Sequence, residues 1–298
     1  MNQPDEQTPL RPVLTLIFGA LCVSFAAIFV KLLPTEQIGP TAIGFWRTLF
    51  GGIILFILAG VKKNNLLLPR PLYGWSVLAG FLFFLDLFFW HRSIIYAGAG
   101  MATILANTQV FVTAVLSFFI FKDKLTVKFF AAALSALVGV ALLVGVISDI
   151  EFTVLYLRGV MFGLATGLVY ANYLVTLKMT MVKFSRVQVI TFMSWTSIFT
   201  ALFLGLSAWI ESDPAIPPDL YSYAILFLLG LVAQAFGWWA IFSSFSRIKA
   251  SRAGLILLLQ PTLATVWGML FFKEQFTPTQ FIGAVVTVAA IYYGSTRK

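Results

Sequence analysis

Charge is what this sequence has least of. Only 10% of its residues are Asp, Glu, Lys or Arg, against 60% hydrophobic, and the mean hydropathy is +0.95. A soluble domain carries about 25% charged residues, so this chain of 298 residues cannot cover a water-facing surface. Cysteine is nearly absent too: the single Cys22 excludes an internal disulfide. Dinucleotide-binding glycine motifs, Walker sequences and the HExxH zinc motif are missing. The opening MNQPDEQTPLRP has no basic region and no cleavage site follows it, so it reads as a short tail before a retained first helix.

What is abundant is the long apolar run. A helix needs about 20 apolar residues to cross the hydrocarbon core, whereas barrel strands alternate over ~10 residues. The runs here are long and continuous. They predict an all-α integral membrane protein with ten transmembrane helices, at 13–33, 40–61, 72–96, 99–121, 128–147, 158–177, 187–210, 220–245, 252–271 and 277–295. Pro34, Gly39-Pro40, KKNN at 62–65 and ESDPAIPPD at 211–219 punctuate them.

The basic residues sort by side. With the N-terminus on side A, fifteen of the twenty Lys and Arg fall there, in the tail, the even-numbered loops and the C-terminus. Side B holds Glu36, Asp149, Glu151, Glu211, Asp213, Asp219 and Glu274. Basic loops stay cytoplasmic, so both termini are expected on the cytoplasmic side of a bacterial inner membrane. The +9 net charge is then a topology signal dispersed over short loops, and no nucleic-acid partner is expected.

The chain also repeats. Shifted by 151 residues, AGAGMATILANTQVFVTAVLSFFIFKDKLT (97–126) falls on IKASRAGLILLLQPTLATVWGMLFFKEQFT (248–277). Gln109 meets Gln260, Phe121-Lys122 meets Phe272-Lys273, Asp123 meets Glu274 and Thr126 meets Thr277. Each half has an odd number of spans. The expectation is two inverted five-helix repeats, 1–150 and 151–298, an architecture of secondary transporters.

These paired segments resemble the signature of the EamA family of the drug/metabolite transporter superfamily. SRAGLILLLQPTLATVWGMLFFKEQFTPTQFIGAVV (251–286) carries its Pro261, Glu274 and Gly283, and GPTAIGFWRTLFGG (39–52) its Pro40 and Arg47. The resemblance implies a ten-helix carrier. Its central cavity would be built mainly from the first, third, fourth, sixth, eighth and ninth spans. Two departures stand out. Val110 occupies the place of Pro261 in the first half, so a helix break is expected at Pro261 and not required at its counterpart. Asp123 stands where the family usually has Glu.

Charges at the centre of a membrane helix are costly and usually mark function. Arg47 lies roughly 10 Å inside span two, and Asp86 roughly 15 Å inside span three. Two readings compete: a buried ion pair that fixes packing, or a pair that binds substrate or opens during transport. Trp90 shares a face with Asp86. His91, the only histidine, is either a proton relay or a neutral hydrogen-bonded spacer. Asp86 is the other proton carrier. Arg92 is expected to snorkel to the outer headgroups.

The uncharged polar candidates are Asn107, Gln109, Asn172, Gln234 and Gln260, with interhelical hydrogen bonding as the alternative role. Pro261 frees a backbone carbonyl. Tyr170, Trp238 and Trp239 could wall an apolar box. Gly159, Gly163 and Gly167 form a ladder that reads as a tight helix contact or a hinge. The expected partners are a small-molecule substrate and membrane lipid, with proton coupling through His91 or Asp86. No catalytic residue, metal or cofactor is assigned, and the chain is not expected to be an enzyme. The reading is a secondary active transporter of a small organic metabolite, such as an amino acid or related compound, with outward direction implied by the family. The alternative is an importer or exchanger of a charged metabolite, nucleoside-derived or amino-acid in kind. A channel or an intramembrane enzyme is a weaker reading, since no nucleophile is spaced beside His91 and Asp86.

Overall fold

The computed structural model describes residues 10–123, 125–144, 153–184, 187–273 and 277–295. Among these there are only helices and turns, with no strand. We number the helices α1 (Leu10–Ser24 and Ala26–Lys31), α2 (Pro40–Val61), α3 (Arg70–Ala97), α4 (Ala99–Asn107 and Gln109–Phe121) and α5 (Val127–Val144). The second half holds α6 (Val154–Lys183), α7 (Val189–Ile210), α8 (Leu220–Ser244), α9 (Ala250–Ile256 and Leu259–Phe272) and α10 (Pro278–Ser295). Eight of them are long and apolar enough to cross a membrane, and Val127–Leu142 in α5 is a shorter apolar helix. The expected count of ten crossings is therefore met only in part among the described residues.

Local chemistry explains the boundaries. Pro40 opens α2, where its missing N–H is not needed. Thr153 caps α6 by accepting from the Tyr156 N–H at 3.1 Å, and Asp219 caps α8 by accepting from the Ser222 N–H at 2.7 Å. The two threonines of the repeated motif are caps as well. Thr126 accepts from the Phe129 N–H at 3.2 Å, and Thr277 and Gln280 cap each other's backbone N–H groups. Helix α6 runs well past the expected 158–177 at both ends. Arg158 and Lys178 interrupt the apolar run without ending the helix, and the Lys178 ammonium is satisfied by the carbonyls of Phe245 and Ile248.

The outer surface is apolar: Ile57, Phe119, Leu202 and Phe281 are all more than half exposed, as lipid-facing residues should be. Exposed Trp209, Tyr221, Tyr292 and Tyr293 fall near helix ends, the place of an interfacial belt. The glycine ladder of α6 makes a contact. A Cβ on Gly159 would come 2.6 Å from the Ala97 nitrogen, and one on Gly167 2.6 Å from the Thr108 hydroxyl. Only glycine lets α6 approach the α3–α4 corner this closely.

The regular helices pack side by side: α2 on α7, α3 on α6, α5 on α10. The irregular ones converge. Helix α1 is interrupted at Phe25, α4 at Thr108, and α9 at Leu257 and Leu258, while Gly230–Gly237 of α8 is a π-helix. Pro261 explains the break in α9, since its ring excludes the Leu257 carbonyl four residues back. The break at Thr108 was not required by the sequence. It occurs with Val110 in the proline's place, and the Thr108 hydroxyl donates to the Leu105 carbonyl at 2.6 Å.

Candidate functional site

The interruptions surround one cavity of about 210 Å³. Val23, Ser24, Ala26 and Ala27 line it from the α1 break, Thr103, Ala106 and Asn107 from α4, and Gln260, Pro261 and Ala264 from α9. Helix α3 adds Phe83, Asp86, Leu87 and Trp90, α6 adds Thr166 and Tyr170, and α8 adds Trp238. These are the six helices that the resemblance implied, with Arg47 the sole contribution of α2. Non-helical backbone at membrane depth is tolerated where it faces a cavity; the breaks in α1 and α4 adjoin lining residues, and the break in α9 ends two residues before the lining Gln260. The π-helix ends at Gly237, immediately before Trp238.

The cavity is displaced along the bundle. On α1, α3, α4 and α9 it lies four to eight residues from the ends at Lys31, Ala97, Ala99 and Phe272, and ten to fourteen from the opposite ends. The near end is side B. Towards side A the space is filled by Tyr173, Leu177, Phe242, Phe245 and Ile248, all fully buried.

Arg47 and Asp86 face this cavity without touching. Neither makes a hydrogen bond or ion pair among the described residues, and the Arg47 Nε is buried with no partner. The expected direct pair is absent because the side chains project into a shared space from α2 and α3. Arg47 instead lies 5.8 Å from the Phe83 ring centre. The cavity lining also carries three buried polar atoms without a hydrogen-bond partner, Tyr170 Oη, Gln260 Nε2 and Trp238 Nε1, and the buried Tyr173 hydroxyl has none either. Tyr170 and Gln260 lie near each other but form no well-aligned bond. The apolar wall is aromatic: Trp238 packs edge-on against Phe83 and Tyr173, with centres 5.0 and 4.9 Å away, and Tyr173 stacks on Phe83.

Five of the candidates lie elsewhere. His91 is buried behind Trp90, with its ring 5.3 Å from the indole, and faces Gly44 of α2. One residue is about 100° of helix, which removes it from the cavity that Asp86 and Trp90 share. Gln109 links α4 to α9 by donating to the Gly254 carbonyl at 3.0 Å, and accepts from Thr113 at 2.9 Å. Gln234 donates to Ser197 of α7 at 3.0 Å. Asn172 returns its amide to the Leu168 carbonyl of its own helix at 2.8 Å. Trp239 sits below the Lys62 ammonium, 5.5 Å away, at side A. Arg92 pairs with Glu211 at the side-B end of α7.

The lining residues that the sequence reading missed were within its reach. Thr166 lies one turn before Tyr170, Thr103 one turn before Asn107, and Phe83 three residues before Asp86. Ser24 carried no such signal; it is brought in by the Trp267 indole, which donates to its hydroxyl at 2.8 Å. Among the described residues there is no group of three or more His, Cys, Asp or Glu that could hold a metal.

Comparison with known proteins identifies the family. A family model for the EamA-like transporter family matches residues 10–145 and again 157–296. An uncharacterized transporter of Synechocystis is 26% identical, over 95% of this chain and 92% of its own length. A probable amino-acid metabolite efflux pump of Salmonella typhimurium is 26% identical over 65% of this chain and 66% of its own. A solved structure, described only as the crystal structure of a protein, superposes with a TM-score of 0.79 at 20% identity, covering 95% of this chain and 96% of that one. The family match over both halves and the apolar helical bundle around a cavity lined by broken helices lead to one conclusion: the chain belongs to the EamA-like transporter family and is a multi-pass membrane transporter.

Proposed function

We propose that the protein is a secondary active transporter that works by alternating access. It moves a small organic metabolite, such as an amino acid or related compound, outward across a bacterial inner membrane. The observation that carries this reading is the cavity: broken helices surround it, charged groups face it, and one end is sealed. Ten spans in two inverted five-helix repeats, 1–150 and 151–298, with cytoplasmic termini, complete the proposal. Two features support the repeats. The family model matches twice. The left-handed residues other than glycine also come in pairs at repeat spacing, Lys63 with Ser212 and Lys122 with Lys273. The named efflux relative supports the outward direction. Transport without catalysis agrees with relatives named as transporters.

Of the two proton carriers in the sequence, the geometry favours Asp86, because His91 does not line the cavity. Charged groups free in the cavity favour a charged or zwitterionic metabolite over a neutral one, which keeps the exchanger alternative in view. The test is transport in proteoliposomes. Saturable flux that is accelerated by unlabelled substrate on the opposite side is expected; a non-saturating current would mean a channel. Under a pH gradient, His91→Gln should leave the stimulation of transport unchanged, and a His91→Gln protein that has lost it would reinstate the histidine relay.

A further inference from the structure

We infer that Gln109 and Gln260 form a reciprocal switch. While the cavity lies towards side B, the Gln109 amide ties α4 to Gly254 of α9; when it opens to side A, the Gln260 amide ties α9 to Thr103 of α4. This rests on the alternating-access reading above and names the residues that exchange. One arm of the switch is closed in this structure. Gln109 is fully buried, its Nε2 donates to the Gly254 carbonyl at 3.0 Å, and its Oε1 accepts from the Thr113 hydroxyl at 2.9 Å. The bond lies on the sealed side: Gly254 is four residues from the side-A start of α9 at Ala250. There the first segment of α9 packs along the second segment of α4.

The other arm is present and open. The repeat shift of 151 carries Gln109 to Gln260 and Thr103 to Gly254. Thr103 is likewise four residues from the start of its helix, at Ala99 on side B. Gln260 and Thr103 both line the cavity, and the Gln260 Nε2 is a buried donor with no hydrogen-bond partner. Among the described residues the first segment of α4 does not pack along the second segment of α9, the counterpart of the contact on side A. The orphan amide therefore stands where its packing partner is missing. The Thr103 carbonyl is held for the present by the Asn107 amide, which donates to it at 2.7 Å. Leu258 stands at the matching place in the second half, so the Gly254 carbonyl has no such substitute and depends on Gln109. Under the inverted-repeat plan proposed above, drawing α4 and α9 together at side B would bring Gln260 to Thr103, and parting them at side A would release Gln109 into the cavity. Each state then holds one formed bond and one unpaired amide. An unpaired buried amide is costly, so the two costs offset each other and both states stay populated, as a carrier requires.

The experiment labels single cysteines with a membrane-impermeant maleimide, in a Cys22→Ser background, from each face of sealed vesicles. Ile248→Cys reports on side A, where Ile248 is fully buried, and Ala27→Cys on the cavity near side B. Gln109→Leu should raise the labelling rate of Ile248→Cys from side A about fivefold, the size of one buried hydrogen bond. Gln260→Leu should lower it about fivefold. Ala27→Cys labelling should move the opposite way in each, and the double substitution should return both rates towards the wild type. Leu177→Cys replaces Ile248→Cys, and the shorter amides of Gln109→Asn and Gln260→Asn replace the leucines, wherever the melting temperature shows that a protein has not folded. Opposite shifts are the signature of the switch, because a role in packing alone would not give the two substitutions opposite signs. No shift, shifts in the same direction, or a shift from one substitution alone would overturn the proposal and leave the transporter reading standing. A wild-type protein with no saturable exchange of anything in a broad metabolite library would refute the transporter reading, and the switch with it.

Discussion

The two ends of the α2–α7 pair are built alike and charged differently. At side B, the Trp46 indole of α2 donates to the Ala215 carbonyl in the turn after α7, at 2.7 Å. At side A, the Trp195 indole of α7 donates to the Leu66 carbonyl in the turn after α2, at 3.0 Å. Trp46 and Trp195 are 149 residues apart, as are Leu66 and Ala215. A second bond to the neighbouring carbonyl stands beside each, from a different donor. The Gly39 N–H donates to the Pro214 carbonyl at 3.0 Å, and the Thr191 hydroxyl to the Asn65 carbonyl at 2.8 Å. Each helix is thus clasped by the turn that ends the other.

The chemistry around the clasps is not repeated. Side B adds acids: Asp213 accepts from the Ala42 N–H at 3.0 Å, capping α2 from another part of the chain, and Glu211 accepts from Thr41 and pairs with Arg92. Burial raises the Asp213 carboxyl above its ordinary pKa, opposed by the backbone N–H groups of Ala42 and Thr41. The residues at the matching places on side A are Asn64 and Lys62. Backbone acceptors and indole donors hold the scaffold at both ends; charge distinguishes one membrane face from the other.

The largest effect should come from the cap. Gly39 has no side chain, and a Cβ there would overlap the Asp213 carboxylate. Gly39→Ala should therefore expel Asp213 and destabilise the protein by about 2 kcal/mol. Gln188→Ala, at the matching place on side A, should change stability by less than about 0.5 kcal/mol. Thermal unfolding in detergent measures both, and equal losses would break the distinction between the ends. The indoles come next. Trp46→Phe and Trp195→Phe each remove one hydrogen bond to a carbonyl and should each lose about 1 kcal/mol; a several-fold inequality would show that the clasps are not equivalent. The smallest effect belongs to the exposed ion pair. Arg92→Gln should lose less than about 1 kcal/mol at low salt, and the difference should shrink as salt is added. Lys62→Gln at side A should show no such salt dependence.

Much of this scaffold was legible. Long apolar runs located the helices, and the motif shared by 97–126 and 248–277 located matching turns whose Lys122 and Lys273 are both left-handed. Thr126 and Thr277 were legible only as a match; their work as caps needed the backbone. At the site, depth in a span singled out Arg47 and Asp86, and helical spacing added Trp90. Gln109 and Gln260 show the limit. They are repeat equivalents of the same type, yet Gln109 joins α4 to the Gly254 carbonyl while Gln260 faces the cavity. Small differences in helix rotation decide such roles, and a linear repeat does not record rotation.

The sequence by itself determined that this is a helical membrane protein with a repeated plan, because apolar length and charge distribution are properties of composition and order along the chain. Only the tertiary structure decided that Arg47 and Asp86 remain apart, that His91 turns away from the cavity, and that Arg92 answers Glu211. Those outcomes depend on the direction of side chains from different helices. That direction is set by packing, by the glycine ladder of α6 and by the breaks in α1, α4 and α9.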